Sequence, residues 1–232
     1  INREIINNYS KAISKDPNNF LFYLERGKTK HDYGDFKGAM NDFYYSFKIN
    51  PDNKIFFYIA NAKFEYKDFK GAIKDYEKLI KITDFKDEVF YNMASAQLIV
   101  FDYEESINNY TNSIKYDRDD DYAYLYRGVA KFKNNKYLDS IEDFSKSIEL
   151  NKNSYIALNN RGVSRYKLKR YKKALEDFEK SIKINPYNYN TYYNKSLTHF
   201  GLKEIKKACI DLNRSIKLGK EVFKDEYAKI CI

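Results

Sequence analysis

The sequence predicts an all-helical array of stacked helix pairs. Three observations carry that prediction. Large and small residues recur at intervals of three and four, as in Tyr171, Ala174, Phe178 and Ser181, which places them on one face of a helix. The set returns every 34 residues, and once after 33. The 232-residue chain holds only eight glycines and three prolines, so nothing in it reads as a linker or a low-complexity tail.

The first element stands alone. Ile5, Tyr9, Ala12 and Ile13, with Pro17 beyond them, read as the second helix of an incomplete unit or as an N-terminal cap. From there helices come in pairs. Each first helix carries a small residue nine positions before the next helix opens: Gly27, Ala60, Ala94, Gly128, Gly162 and Ser196. A large residue stands four before each of these: Tyr23, Phe56, Phe90, Tyr124, Leu158 and Tyr192. The second helices follow the opening pattern. They are Phe36, Ala39, Phe43, Ser46; Phe69, Ala72, Tyr76; Tyr103, Ser106, Tyr110, Ser113; Tyr137, Ser140, Phe144, Ser147; the Tyr171 set; and Ile205, Ala208, Leu212, Ser215. Small residues let two helix axes approach, and the rings fill the holes beside them. Pro51 and Pro186 close two of these helices. Serine at positions 46, 113, 147, 181 and 215 is expected to bond back to the carbonyl four residues earlier. Val222, Phe223, Tyr227 and Ile230 predict a last helix over 220–232 that covers the final apolar face.

These residues resemble the tetratricopeptide repeat, a 34-residue helix–turn–helix family. Its pattern is a large residue, Leu-Gly and Tyr in the first helix, Ala, Phe and Ala in the second, and Pro at the end. Six units fit: 20–53, 54–86, 87–120, 121–154, 155–188 and 189–222. The resemblance implies an all-α, right-handed superhelical solenoid. It forms a single domain over 1–232, with an N-terminal half-repeat or capping helix at 1–19 and a C-terminal capping helix over about 220–232. Three departures stand out. Serine replaces alanine in the second helix, unit two is one residue short, and Ile99, Val100 and Phe101 fill a turn where the family prefers polar residues or glycine.

Catalytic chemistry has little to stand on. The sequence shows no Gly-rich phosphate loop, no nucleophile elbow and no His-based pair, so the chain reads as a non-enzyme that needs no cofactor or metal. The run Asp117, Asp119, Asp120 and Asp121 lacks the Gly and Glu an EF-hand loop needs, because Tyr122 and Gly128 hold those places. It reads as a turn whose carboxylates favour the next helix start. Cys209 and Cys231 are too few and too late for a disulfide framework, and they are expected to be free thiols. Arg26 and Asp42, Arg127 and Asp143, and Arg161 and Asp177 lie 16 apart with the inter-helix turn midway, so structural ion pairs are expected; Ile59 leaves Asp75 without an Arg. No apolar run approaches the ~20 residues of a membrane span. No secretory signal is visible, which leans towards the cytoplasm, but the chain begins at Ile1 and the compartment stays open.

Function is expected on the face that the first helices line, where the family usually binds protein or peptide. Projecting the family geometry gives Tyr58, Asn61, Tyr91, Asn92, Tyr122, Tyr126, Phe132, Asn159, Asn160, Tyr166, Tyr193 and Asn194 as groove residues. Asn92, Asn160 and Asn194 share one slot, and an amide there both donates to and accepts from a peptide backbone. Asn61 and Asn92 match two positions of the family's two-carboxylate clamp, but Phe57, Tyr122 and Tyr126 stand in its basic positions, which speaks against a dedicated receptor for C-terminal carboxylates. Two other classes stay open. Residues 101–150 hold 7 Lys/Arg against 11 Asp/Glu and residues 151–200 hold 11 against 3, with Arg165, Lys167, Lys169, Arg170, Lys172 and Lys173 in one short stretch. That basic patch suits nucleic acid or an acidic partner, or is simply a solvated face. The third class is a homo-oligomer assembled through the unpartnered first helix.

Overall fold

A computed structural model describes residues 2–219 and Cys231. Those residues form thirteen α-helices and no strand. They fall into two compact units, split after Asp117. The first holds α1 (Asn2–Lys15), α2 (Phe20–Asp32), α3 (Phe36–Ile49), α4 (Asn53–Glu65), α5 (Phe69–Leu79), α6 (Lys86–Ile99) and α7 (Tyr103–Tyr116). The second holds α8 (Asp121–Lys133), α9 (Tyr137–Leu150), α10 (Tyr155–Lys167), α11 (Tyr171–Ile184), α12 (Tyr189–Gly201) and α13 (Ile205–Lys217). Within each unit every helix packs on the next along the chain, as stacked tetratricopeptide pairs do.

Local chemistry sets the helix ends. Asn19, Asp35, Asp52, Asp68, Asp120, Ser154 and Asn188 each accept a bond from a first-turn backbone N–H of the helix that follows. Asp120 comes from the acidic run read as a turn. The turn within each pair needs one left-handed residue, supplied by Gly34, Lys67, Phe101, Asn135, Lys169 and Lys203 at φ of 58 to 85°. Five of the six are not glycine, and Phe101 is 75% exposed.

The core of the first five pairs is a small residue of the first helix against a ring of the second; in the sixth, Ser196 is matched by Leu212. Gly27, Gly128 and Gly162 face Phe43, Phe144 and Phe178, and a Cβ on any of them would stand 2.5–2.8 Å from a ring carbon. Where the ring is Tyr76 or Tyr110, the small residue is Ala60 or Ala94. The two tyrosine hydroxyls reach Asn61 Oδ1 at 2.6 Å and Ser95 Oγ at 2.8 Å. Burial pushes the Tyr76 phenol up.

Two expectations change here. The packing serines do not bond four residues back. Ser46, Ser113, Ser181 and Ser215 donate across the pair to the carbonyls of Phe20, Asp87, Tyr155 and Tyr189, tying the end of one helix to the start of its partner. Ser147 is buried in the same slot with no partner. Cys209 and Cys231 are not free thiols: they form a disulfide with a Cα–Cα distance of 5.6 Å, well inside the reach of such a bond. A cysteine count carries no information about that proximity. The predicted final helix, apart from Cys231, lies outside the described residues.

The lone helix α1 occupies the place of a second helix. Arg26 Nη1 donates to Ser10 Oγ of α1 at 3.0 Å, and Arg161 Nη1 donates in the same way to Ser145 Oγ of α9 at 3.0 Å.

Candidate functional site

Two kinds of polar feature recur on these pairs: an ion cluster within each pair, and a notch between consecutive first helices.

The expected ion pairs form. Arg26 meets Asp42 at 2.6 Å, Arg127 meets Asp143 at 2.7 Å and Arg161 meets Asp177 at 2.7 Å. Each bond is two-pronged, with Nε and Nη2 on the two carboxylate oxygens. The hydrogen bond to Asp42 holds the Arg26 guanidinium above its ordinary range. A second cation one turn on joins each carboxylate: Lys30 at 2.8 Å, Lys131 at 2.8 Å and Arg165 at 2.7 Å. Asp75 lacks an Arg, as expected, yet is not bare, because Lys63 takes it at 2.5 Å. Burial pulls the Lys63 ammonium down, but its bonds to Asp75 and Tyr44 outweigh this and leave it raised. In the third pair the cluster is neutral, with Asn109 Nδ2 donating to Gln97 Oε1 at 2.8 Å. In the sixth, Lys195 and His199 lie 3.4 and 3.5 Å from Asp211. These carboxylates are structural anchors, saturated by their own pair.

The notches follow the sequence period. One lies between α8 and α10, walled by Val129, Phe132 and Val163, floored by Phe144, and edged by Lys133 and Asn160. The next lies between α10 and α12, lined by Val163, Tyr166, Lys167, Phe178, Asn194 and Leu197, each 34 residues on from its counterpart. In the first unit the same slots give a notch of Lys28, His31, Asp32, Phe43, Tyr58 and Asn61. Its neighbour is lined by His31, Asn61, Phe64, Glu65, Tyr76 and Asn92. The cavities measure about 180 to 310 Å³. Each floor is the buried second-helix ring that the small residue admits.

The predicted groove residues divide over these features. Tyr58, Asn61, Asn92, Phe132, Asn160, Tyr166 and Asn194 line notches. Tyr58 also stacks on Phe43 at 5.5 Å, with Lys28 Nζ 5.3 Å from its ring centroid. The asparagines bond to one another, twice between neighbouring first helices and once within α10. Asn92 donates to Asn61 at 3.1 Å, Asn194 to Asn159 at 3.0 Å, and Asn159 to Asn160 at 3.3 Å. Tyr91 sits edge-on to Tyr110 at 5.5 Å. Tyr122 and Tyr126 are exposed, and Tyr193 is half-buried. The basic stretch divides as well. Arg165 is spent on Asp177, Lys167 edges a notch, and Lys169, Arg170, Lys172 and Lys173 are exposed on the turn and the start of α11. Sequence reasoning missed Asp32, Glu65 and Lys133 at the notch lip and the floor rings as lining. The signal was present, because all of them fall in 34-residue register with residues that were singled out.

Tetratricopeptide repeat profiles match residues 155–188 and 189–219, and the six-fold helix-pair period extends that pattern to the earlier pairs. The chain is a tetratricopeptide repeat protein. No curated protein sequence matches it significantly. Among solved structures, the C-terminal part of a tetratricopeptide repeat-containing protein from Cytophaga hutchinsonii superposes with a TM-score of 0.77 at 15% identity, over 100% of this chain and 95% of that one. MamA gives 0.66 at 22% identity, over 72% and 97%. YrrB, described as a tetratricopeptide protein with an unusual peptide-binding site, gives 0.63 at 16% identity, over 77% and 92%. At these identities the likeness is one of fold. Among the described residues no helix is long and apolar enough to cross a membrane, and no group of three or more His, Cys, Asp or Glu is placed to hold a metal ion.

Proposed function

We propose that the chain is a non-catalytic protein-interaction scaffold that docks a segment of a partner protein along the first-helix faces. The observation that carries this reading is the recurrence of one apolar notch, on the same slots, between consecutive first helices. Apolar hollows edged by amides suit side chains on a polypeptide whose backbone needs donors and acceptors. The solved tetratricopeptide protein described as having a peptide-binding site supports the same reading. Asn160 and Asn194 line notches of the second unit while bonded into the asparagine chain, so they present the remaining donors and acceptors of their amides to a ligand.

The test begins with a pulldown from native cell extract, with partners identified by mass. Against such a partner, Asn160→Ala is expected to cost ~1–3 kcal/mol of binding with little change in folding stability. Tyr126→Ala is expected to weaken binding at least as much. Wild-type affinity in both, measured by calorimetry, would refute the docking face.

A second reading rests on the exposed cations Lys169, Arg170, Lys172 and Lys173, which suit nucleic acid or another polyanion. It requires binding to single- or double-stranded DNA or RNA at low salt that falls steeply as salt rises. No binding at low salt removes it.

A further inference from the structure

Resting on the reading of the notches as a docking face, we propose that the second unit takes an acidic segment presenting two apolar side chains three residues apart in polyproline II conformation. The two notches there are near copies. A phenylalanine floors each, Phe144 and Phe178, and the shared wall residue Val163 makes them neighbours. Their volumes, about 180 and 210 Å³, each suit one ring or branched side chain; a cavity of about 150 Å³ holds a benzene. The bond from Asn194 to Asn159 holds α10 and α12 side by side. Packed helix axes lie ~8–10 Å apart. A polyproline II chain has three residues per turn and advances ~3.1 Å per residue, so side chains at positions i and i+3 share a face about 9 Å apart and meet consecutive notches.

Charge selects the flanking residues. Lys133 and Lys167 stand at equivalent lips, one per notch, both exposed. Among the described residues neither has an ion-pair partner. The nearby carboxylates offer them none, because Asp143 is held by Arg127 and Lys131, and Asp177 by Arg161 and Arg165. Each cluster sets two cations against one anion, which adds to the positive field over the pair. In the first unit the same lip slot holds Asp32 and Glu65. The hollow is common to both units and the sign of its lip is reversed, so acidic flanks fit the second unit and are repelled by the first.

The test titrates the nitrogen-15-labelled full chain with capped hexapeptides and follows amide shifts. The principal probe has four glutamates with phenylalanine at its second and fifth positions. Controls replace glutamate by lysine, replace phenylalanine by alanine, or move the rings to the second and fourth positions. The principal probe is expected to shift the amides of Val129, Val163, Asn160 and Asn194 and to bind more tightly than every control. Lys133→Glu with Lys167→Glu is expected to weaken it about tenfold or more and to improve the lysine peptide, with the thermal midpoint unchanged because both side chains are exposed. If the lysine peptide binds the same amides as well as the glutamate peptide, or the double variant binds normally, the acidic specificity is overturned and the docking face stands. If the alanine peptide binds equally with shifts confined to residues 169–173, the contact is surface charge alone and the inference fails. If no peptide shifts a notch amide at millimolar concentration, both the inference and the docking face fail.

Discussion

Gly162→Ala adds one methyl group where α10 meets the ring of Phe178. The new Cβ would stand 2.5 Å from Cε1 and 2.9 Å from both Cδ1 and Cζ. Carbon atoms settle at ~3.5–4.0 Å, so the ring must retreat by about an ångström. Phe178 is fully buried, so the retreat strains the contacts around it or pushes the ring into the notch it floors. Overpacking of this kind costs ~1–3 kcal/mol. Alanine in a helix interior returns up to ~1 kcal/mol relative to glycine. The expected net loss is about 1 kcal/mol, read as a lower midpoint in chemical denaturation; repeat arrays need not unfold in one step, so the midpoint of the transition is the quantity to follow. The chain itself supplies the control. Ala60 and Ala94 face tyrosines whose hydroxyls are held by Asn61 and Ser95. Gly162→Ala combined with Val163→Asn and Phe178→Tyr copies the second pair and should recover the loss. A single variant more stable than the wild-type chain by the full glycine-to-alanine increment would refute the claim that glycine is there to admit the ring.

Three further outcomes follow from the same geometry. Phe101 holds a left-handed φ of 66° that Asn135 supplies in the next pair, so Phe101→Asn should raise the thermal midpoint, by ~0.5–1 kcal/mol in stability; a lower midpoint would mean the ring is doing packing work. Asp143→Ala leaves Arg127 and Lys131 half-buried without their carboxylate and should destabilise by ~2–4 kcal/mol, against near-neutrality if the cluster were a surface pair. Burial pushes the Asp211 carboxyl up despite Lys195 and His199. The folded chain therefore binds that proton more tightly than the unfolded one, and stability falls as pH rises from the ordinary carboxylate range through the raised value. Asp211→Asn should flatten that part of the pH–stability profile and leave the midpoint at neutral pH equal or higher; a steep loss at neutral pH would refute it.

The period, the helix pairs and the ion pairs 16 residues apart were legible because each follows from one repeated contact. When the same small residue meets the same ring in every pair, spacing alone reports it. The second cation of each cluster was not legible. Lys30, Lys131 and Arg165 sit 12 residues before their aspartates, and only the depth of the helix crossing tells that a long side chain one turn on reaches the same carboxylate. The serine bonds were misread for a related reason. A hydroxyl in a helix has a local acceptor four residues back, and sequence cannot show that the carbonyl of Phe20 or Tyr155, at the start of the facing helix, lies within reach and has a second lone pair to accept with. The notch floors were read as core and nothing more. A ring can be fully buried at one edge of a pair and still form the bottom of a hollow, which depends on how far the next first helix stands off.

The lip slot of the notches separates what folding fixes from what it leaves open. Along the six pairs it holds Asp32, Glu65, Ile99, Lys133, Lys167 and Gly201. The backbone at this slot closes a first helix in every pair, and the side chains are exposed. A solvated charge contributes little to stability whichever its sign. The floor behaves in the opposite way. There Gly accompanies Phe in three pairs, where an added Cβ would stand 2.5–2.8 Å from a ring carbon, and Ala accompanies Tyr in two. The third pair shows the same division, with a neutral Gln97–Asn109 bond where its neighbours place charges and an apolar Ile99 at the lip. A neutral buried bond keeps the hydrogen bond and avoids the desolvation cost of ions, so the pair stays intact while its lip loses charge. Folding is thus satisfied by the floor and the clusters. The order of two acids, an apolar residue, two bases and a glycine at the lip has no structural demand behind it, so the charge at the lip of each unit is free to select that unit's own ligand.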